Sequence, residues 1–415
     1  MGQISVSDRS QSKGSHEIQL RESTPLDSNA LNDFFTSIQT EGKLSMKIRR
    51  QIDFFSFYHR LGLQFKNYVF ESIKQAPQPH NEKIFRLSQP HPAPPDISSE
   101  ILGTASFLLQ NRSLYHRVVR IALACDLRIS NKRKAIMNWS KFFLPKISEL
   151  QHQEKIDHFI TSINLTESQA INAFLRPRQI NNSMPIYELI QKYNLVSVHG
   201  FFPLVHSLLK NIKVQYAQEG DKENLVKYIN LKLKDYELVP EEIQNNLYEY
   251  ISNSILYSFS HFLIAKDPQG NIVGCTHPVS SGLLQDYFPQ KYDQQANNFR
   301  QFLKFTSFLH FSRTLTRPFS STNKEQTLNF RMLHFLFFEH PEVLNSLVHT
   351  AFHDSVTNEF ILYAYQTSQY DYRPPRGTLH AEIPYGLFEI KKPDSPSYQT
   401  KIKIMKNIFL DYLWF

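Results

Sequence analysis

The run Arg117–Ile129 (RVVRIALACDLRI) constrains this chain more than any other segment. It is apolar through its middle and charged at both ends, the pattern of a strand buried on both faces at the centre of a sheet. A basic turn, Ser130 to Lys134, follows, and Ala135 to Leu150 then sets Ile136, Trp139, Phe142, Phe143 and Ile147 at helical spacing. A helix entered this way offers about four unpaired backbone N–H groups and partial positive charge beside the strand end. Arg128, Lys132, Arg133 and Lys134 crowd the same turn, so the unit can hold a pyrophosphate through charge-assisted hydrogen bonds worth roughly 1.5–3 kcal/mol each.

The rest of the chain reads as the same kind of structure. Strands are predicted at His16 to Glu22, Asn67 to Ile73, Ile101 to Leu109, Ile156 to Ile163 and Pro185 to Val198. Helices are predicted from Asp27 or Ser28 to Gln39, from Ile48 to Leu61 and from Thr166 to Leu175, and Pro145 should kink or end the helix that contains it. Six prolines between Pro77 and Pro95 forbid regular structure, which implies a loop inserted between neighbouring strands. The second half repeats the plan. Strands are expected at Ile212 to Ala217, His261 to Lys266, Asn271 to Thr276, Phe330 to Phe338 and Glu359 to Tyr365, with a terminal pair at Leu379 to Ile390. Helices are expected at Lys222 to Lys234, Pro240 to Tyr257 and Glu342 to His353. At 415 residues the chain suits two domains, and the expected division is a polar tail at 1–14, a first unit at 15–205 with an insertion at 76–98, and a second unit at 206–415.

Several chemistries are set aside by what is missing. There is no Gly-x-Ser-x-Gly elbow, since Gly103-Thr104-Ala105-Ser106 runs into Phe107. Nor is there a His-Glu-x-x-His pair, a Gly-Lys-Ser/Thr phosphate loop or a Gly-x-Gly-x-x-Gly turn, and 12 glycines against 33 phenylalanines leave little material for such loops. Cys125 and Cys275 stand far apart in apolar runs, which argues for reduced, buried thiols and no metal. The N-terminal segment has no apolar stretch of a secretory signal, and Val6 departs from the Ser or Thr of a myristoylation motif at Gly2. With no bilayer-length apolar run, a cytoplasmic protein is expected. The net charge of +8 is dispersed, apart from the clusters Lys47 to Arg50 and Lys132 to Lys134, so it makes no case for nucleic acid as the partner.

Three stretches, Ile101 to Ser106, the strand ending Asp126-Leu127-Arg128-Ile129, and the turn Ser130 to Lys134 with its helix, together resemble the middle of a GNAT acyltransferase domain. Arg50 to Phe55, Glu167 to Leu175 and Ile272 to Cys275 are similar to larger proteins with two such domains in tandem. The resemblance implies an α/β (α+β) fold of two GNAT-like domains, each a mixed, mostly antiparallel sheet flanked by helices. It also implies acyl-CoA or acetyl-CoA as co-substrate, with Leu127, Arg128 and Ile129 along the pantetheine, and Asn131, Lys132, Arg133, Lys134 and Ala135 around the pyrophosphate. The family's turn reads Arg or Gln, two residues, Gly, one residue, Gly or Ala. Counted from Arg133, the first glycine position holds Ile136. The strand Phe330 to Phe338 leads into Glu339-His340-Pro341, which offers a phosphate little, so the second unit reads as degenerate.

Catalysis in such a fold needs a base, or a water chain, to take a proton from the amine. Asp126 is the candidate, with His199 and Tyr193 as further possibilities for base and acid. An Asp beside Arg128 equally suits an ion pair, the stripe Phe54, Phe55, Phe57 and Tyr58 suits core, and Arg49 and Arg50 suit the flank of a helix. Two functions stay open: transfer of an acyl group from acyl-CoA to a small-molecule or peptide amine, and a catalytically inactive GNAT-fold ligand-binding or protein-interaction module.

Overall fold

The computed structural model describes residues 16–40, 42–74, 99–176, 184–202, 211–283, 285–320, 324–356, 358–393, 402 and 406–410. The polar tail and the proline-rich insertion expected from sequence lie outside these. The first half runs β1 (His16–Glu22), α1 (Ser28–Ser37), β2 (Leu44–Arg50), α2 (Ser56–Arg60), β3 (Gln64–Lys74), β4 (Ser99–Leu114) and β5 (Arg117–Ile129). It continues with α3 (Arg133–Gln153), β6 (His158–Asn164), α4 (Ser168–Ala170), which passes into a π-helical turn at Ile171–Leu175, and β7 (Ile186–Phe201). The second half runs β8 (Lys213–Tyr216), α5 (Lys222–Leu233), β9 (Tyr236–Glu237), α6 (Glu241–Asn253), β10 (Leu263–Lys266), β11 (Ile272–Ser280) and β12 (Gln285–Tyr292). It ends with α7 (Gln294–Phe308), β13 (Phe330–Phe338), α8 (Pro341–His353), β14 (Phe360–Gln366), β15 (Thr378–Lys391) and β16 (Asn407–Ile408).

Twelve strands form one sheet in the order β1-β3-β4-β5-β6-β15-β7-β14-β13-β11-β10-β8. Read from either edge, the order gives the same parts: four antiparallel strands, a fifth parallel to the fourth, and then a long central strand. The central strands are exchanged. β15 of the second half pairs with β6 of the first, β7 pairs with β14, and β7 and β15 pair with each other from Thr378↔Phe201 to Lys391↔Ile186. The fold is thus the expected α/β arrangement of a mixed, mostly antiparallel sheet flanked by helices, with both halves built into a single sheet. No described helix is long and apolar enough to cross a membrane.

One hydrophobic cluster joins α1 and α2 to α5 and α6 through residues such as Phe35, Phe54, Tyr58, Leu225 and Ile243. The helices that follow the bulged strands pack separately, α3 through Phe143, Ile147 and Leu150 and α8 through Val343, Leu347 and Val348.

Three sequence expectations are corrected. Residues 48–50 are not helical but close β2, because Gln285–Tyr292 supplies a partner strand about 240 positions away and Ile48 pairs with Tyr287. Pro145 does not end α3: it is exposed, while Phe143 and Ile147 on either side are buried, and that packing outweighs a proline cost of roughly 3 kcal/mol. The terminal pair is one strand, β15, whose bulges at Leu379/His380 and Leu387/Phe388 keep it in register along all of β7.

Candidate functional site

The site is made by a defect in the sheet. Between β4 and β5 the register slips, so that Asp126 and Leu127 stand opposite Ala105 alone. Asp126 takes the left-handed conformation at φ 52°, which Asp tolerates better than branched residues. Parallel pairing of β5 with β6 is confined to Ile121↔His158 through Ala124↔Thr161. Beyond Ala124 the two strands part, and the gap opens into a cavity of about 1270 Å³. That exceeds the roughly 300–1,000 Å³ of an ordinary small-molecule pocket and leaves room for an elongated ligand beside a second reactant.

The cavity wall follows β5 from Leu123 to Ile129, passes Asn131, Ile136 and Trp139 at the start of α3, and returns along Thr161 to Asn164 of β6. Leu44, Met46, Ile48 and Arg50 line it from β2, and Phe299, Phe330 and Phe360 close its far end. Of the residues expected to bind cofactor, Leu127, Arg128, Ile129 and Asn131 line this space with Asp126, whereas Lys132, Arg133, Lys134 and Ala135 do not. Lys132 and Lys134 both ion-pair with Glu100, the latter at 2.9 Å, and these bonds hold the Glu100 carboxyl below its usual range. No side chain caps α3. Ile136, where a glycine was expected, sits in ordinary helical backbone with its side chain 56% exposed, so the substitution brings no φ strain.

Asp126 is held from two directions. Its Oδ2 accepts from Arg50 Nη2 at 2.6 Å and, in a short bond, from the Tyr58 hydroxyl. Tyr58 also bonds Ser106 Oγ at 2.6 Å, and Asn67 Nδ2 donates to that same Oγ at 2.8 Å. Burial works against the Arg50 charge, but the field of Asp126, added to smaller contributions from Tyr58, Cys125 and Tyr287, outweighs it, and the guanidinium stays protonated. Burial and then the Asp126 charge push the Cys125 thiol well up, so it carries no thiolate for nucleophilic chemistry. His199 is 2% exposed and bonds Ser197 Oγ at 3.0 Å through Nε2; burial, with a smaller contribution from His380, lowers its pKa to about 3. It stays neutral near pH 7 and is a weak base.

Sequence reasoning missed a second carboxylate arrangement. Glu382 on β15 accepts from Asn194 Nδ2 at 2.6 Å and Tyr365 Oη at 3.0 Å, and its Oε1 lies 3.8 Å from His380 Nε2. Both residues line the cavity, so the exchanged strand brings groups from the second half to the splay of the first. Arg50 was missed as well, although Leu44, Met46, Ile48 and Arg50 alternate as a strand with one buried face requires. Nothing local marks His380 and Glu382, whose position depends on a strand pairing that spans the chain.

No family model and no curated protein matches the chain. In fold it is similar to solved structures of acyltransferases. A GCN5-related N-acetyltransferase from Sphaerobacter thermophilus is 9% identical, with 95% of this chain and 98% of that one covered and a TM-score of 0.46. Saccharomyces cerevisiae N-myristoyltransferase with bound myristoyl-CoA is 9% identical, with 95% and 89% covered and a TM-score of 0.49. A probable N-acyltransferase from Enterococcus faecalis is 7% identical, with 90% and 72% covered and a TM-score of 0.42.

Proposed function

We propose that this chain is an acyl-CoA-dependent N-acyltransferase of GNAT type, acting on a small-molecule or peptide amine. One observation carries the reading: among the described residues β5 has no strand partner on its β6 side after Ala124, so its remaining backbone runs along the cavity towards the uncapped N-terminus of α3. An extended chain of amides can hydrogen-bond there as a strand would, with its phosphates at the helix start. The amine nitrogen attacks the thioester carbonyl, the N–C bond forms and the C–S bond breaks. The proton leaving nitrogen passes to Asp126 or a water beside it, and the departing sulfur takes up a proton. The pair His380 and Glu382 is another acceptor within the cavity.

Thermal unfolding with acetyl-, octanoyl- and palmitoyl-CoA tests the binding step. A ligand at 100 times its Kd should stabilise the fold by about 2.7 kcal/mol. Arg133→Glu should weaken that binding roughly tenfold or more, and unchanged affinity removes the turn from the site. The inactive binding module is favoured by one specific arrangement, the pairing of Lys132 and Lys134 with Glu100 beside an exposed Ile136. A shift with CoA but no amine-dependent release of free thiol selects the module; no shift with any CoA ends the acyl-transfer reading.

A further inference from the structure

The floor of the cavity holds more hydrogen-bond donors than the protein satisfies. Arg50 is 3% exposed, and its Nε and Nη1 have no partner among the described residues. Its guanidinium carbon lies 3.6 Å from the centre of the Phe57 ring and 5.2 Å from that of Phe35, so it cannot swing out to water. Arg128 stacks on the same Phe35 ring at 4.9 Å; among the described residues it makes no hydrogen bond or ion pair, and its Nε is buried without a partner. Each guanidinium carries five N–H groups, and Asp126 meets only one of the ten by ion pair. Elsewhere the chain behaves differently: Lys132 and Lys134 share Glu100 even at the surface. Arg128 is half-buried, with Asp126 and Glu167 acting on it through their fields, and a ligand anion in direct contact would offset the remaining cost of its burial.

We infer that Arg128, braced by Phe35 and backed by Arg50, is a receptor for a carboxylate carried by the acceptor, which makes the acceptor class an amino acid or another carboxylate-bearing amine. This rests on the acyl-transfer reading and names its substrate class. Position assigns the oxyanion to the acceptor. Arg128 lies three residues before Asn131, so the direction of its side chain decides which group it meets. The guanidinium faces the Phe35 side, where α1 packs, and not α3. Of the other carboxylates lining the cavity, Glu382 is engaged by Asn194 and Tyr365, and Glu167 acts on Arg128 through its field.

Benzoate, its neutral isostere benzamide, and inorganic phosphate are suitable probes, followed by ligand-observed NMR on the full chain. Benzoate should bind, benzamide should not, and Arg128→Gln should weaken benzoate roughly tenfold or more while Arg128→Lys loses less. Urea unfolding of each variant reports whether it is folded. Equal binding of benzoate and benzamide, or unchanged benzoate binding in folded Arg128→Gln, overturns the proposal. Displacement of benzoate by phosphate assigns the oxyanion to the cofactor and overturns it too. Because benzoate needs no CoA, a chain that ignores every CoA yet binds benzoate through Arg128 fails as an acyltransferase and keeps the receptor.

Discussion

The two halves make the same backbone defect and put it to different uses. In the first, β5 bulges at Asp126 and leaves β6; in the second, β13 bulges at Phe335, φ 48°, with Phe335 and Leu336 opposite Thr276 alone, and its parallel pairing with β14 stops at Met332↔Leu362. The first gap is the large cavity. The second keeps about 40 Å³, because Ile408 and Phe409, both buried, lie in it: Gln366 Nε2 donates to the Ile408 carbonyl at 3.0 Å, and the Phe409 ring packs on Phe335 at 5.7 Å. A bulge therefore opens a sheet, and the side chain standing on it decides what enters. A carboxylate tethering a buried arginine keeps the first gap polar, whereas a phenyl ring invites apolar filling.

Acid should break the comparison most strongly. His277 and His334 flank the second bulge, buried around Tyr257, and burial lowers both to about 3, as it does His199 in the first half. A folded pKa below the unfolded 6.5 means the unfolded chain binds more protons, so this stability is complete above pH 6.5 and is lost as pH falls towards 3. Three such groups cost up to about 6 kcal/mol at pH 5. Urea unfolding from pH 7.5 to 5 measures the loss, and a flat profile contradicts it.

Next in size, Asp126→Ala leaves Arg50 buried and uncompensated and should cost about 3–5 kcal/mol. Arg50→Met with Asp126→Asn should recover much of that by removing both charges while keeping a residue that tolerates the left-handed backbone and an acceptor for Tyr58; if the double variant is no better than the single, the ion pair is not the cause. Phe409→Ala should cost a similar 3–5 kcal/mol by emptying the second gap, without altering binding in the first. Any change in CoA affinity would show that the gaps are coupled. The smallest effect sharpens the contrast between two glycines that face the ends of the bulged strands. A Cβ on Gly274 would meet Val343 Cγ1 at 2.6 Å, so Gly274→Ala should cost roughly 1–3 kcal/mol. A Cβ on Gly103 would press the Arg128 carbonyl at 3.0 Å, and Gly103→Ala should cost about 1 kcal/mol, read in the same denaturation series.

Most of the sheet was legible because its strands announce themselves locally. The run from Arg117 to Ile129 is apolar for burial on both faces, and Phe330 to Phe338 likewise. The short alternation of β2 was overridden in the sequence reading, since Phe54 to Tyr58 just beyond it carries a helical stripe and its partner is distant in sequence. The site divides in the same way. Asp126 and Arg128 stood out as charges at the end of an apolar strand, whereas Arg50, Tyr58, His380 and Glu382 carry no local sign of where they meet.

The sequence by itself determined the strand, turn and helix at Arg117 to Gln153, because periodicity and charge act over a few residues of chain. Only the tertiary structure decided that β15 crosses between β6 and β7, that Arg50 closes on Asp126 across 76 positions, and that one gap stays open while the other is filled. Those outcomes depend on register and packing between distant segments, whose energies no single stretch of sequence contains.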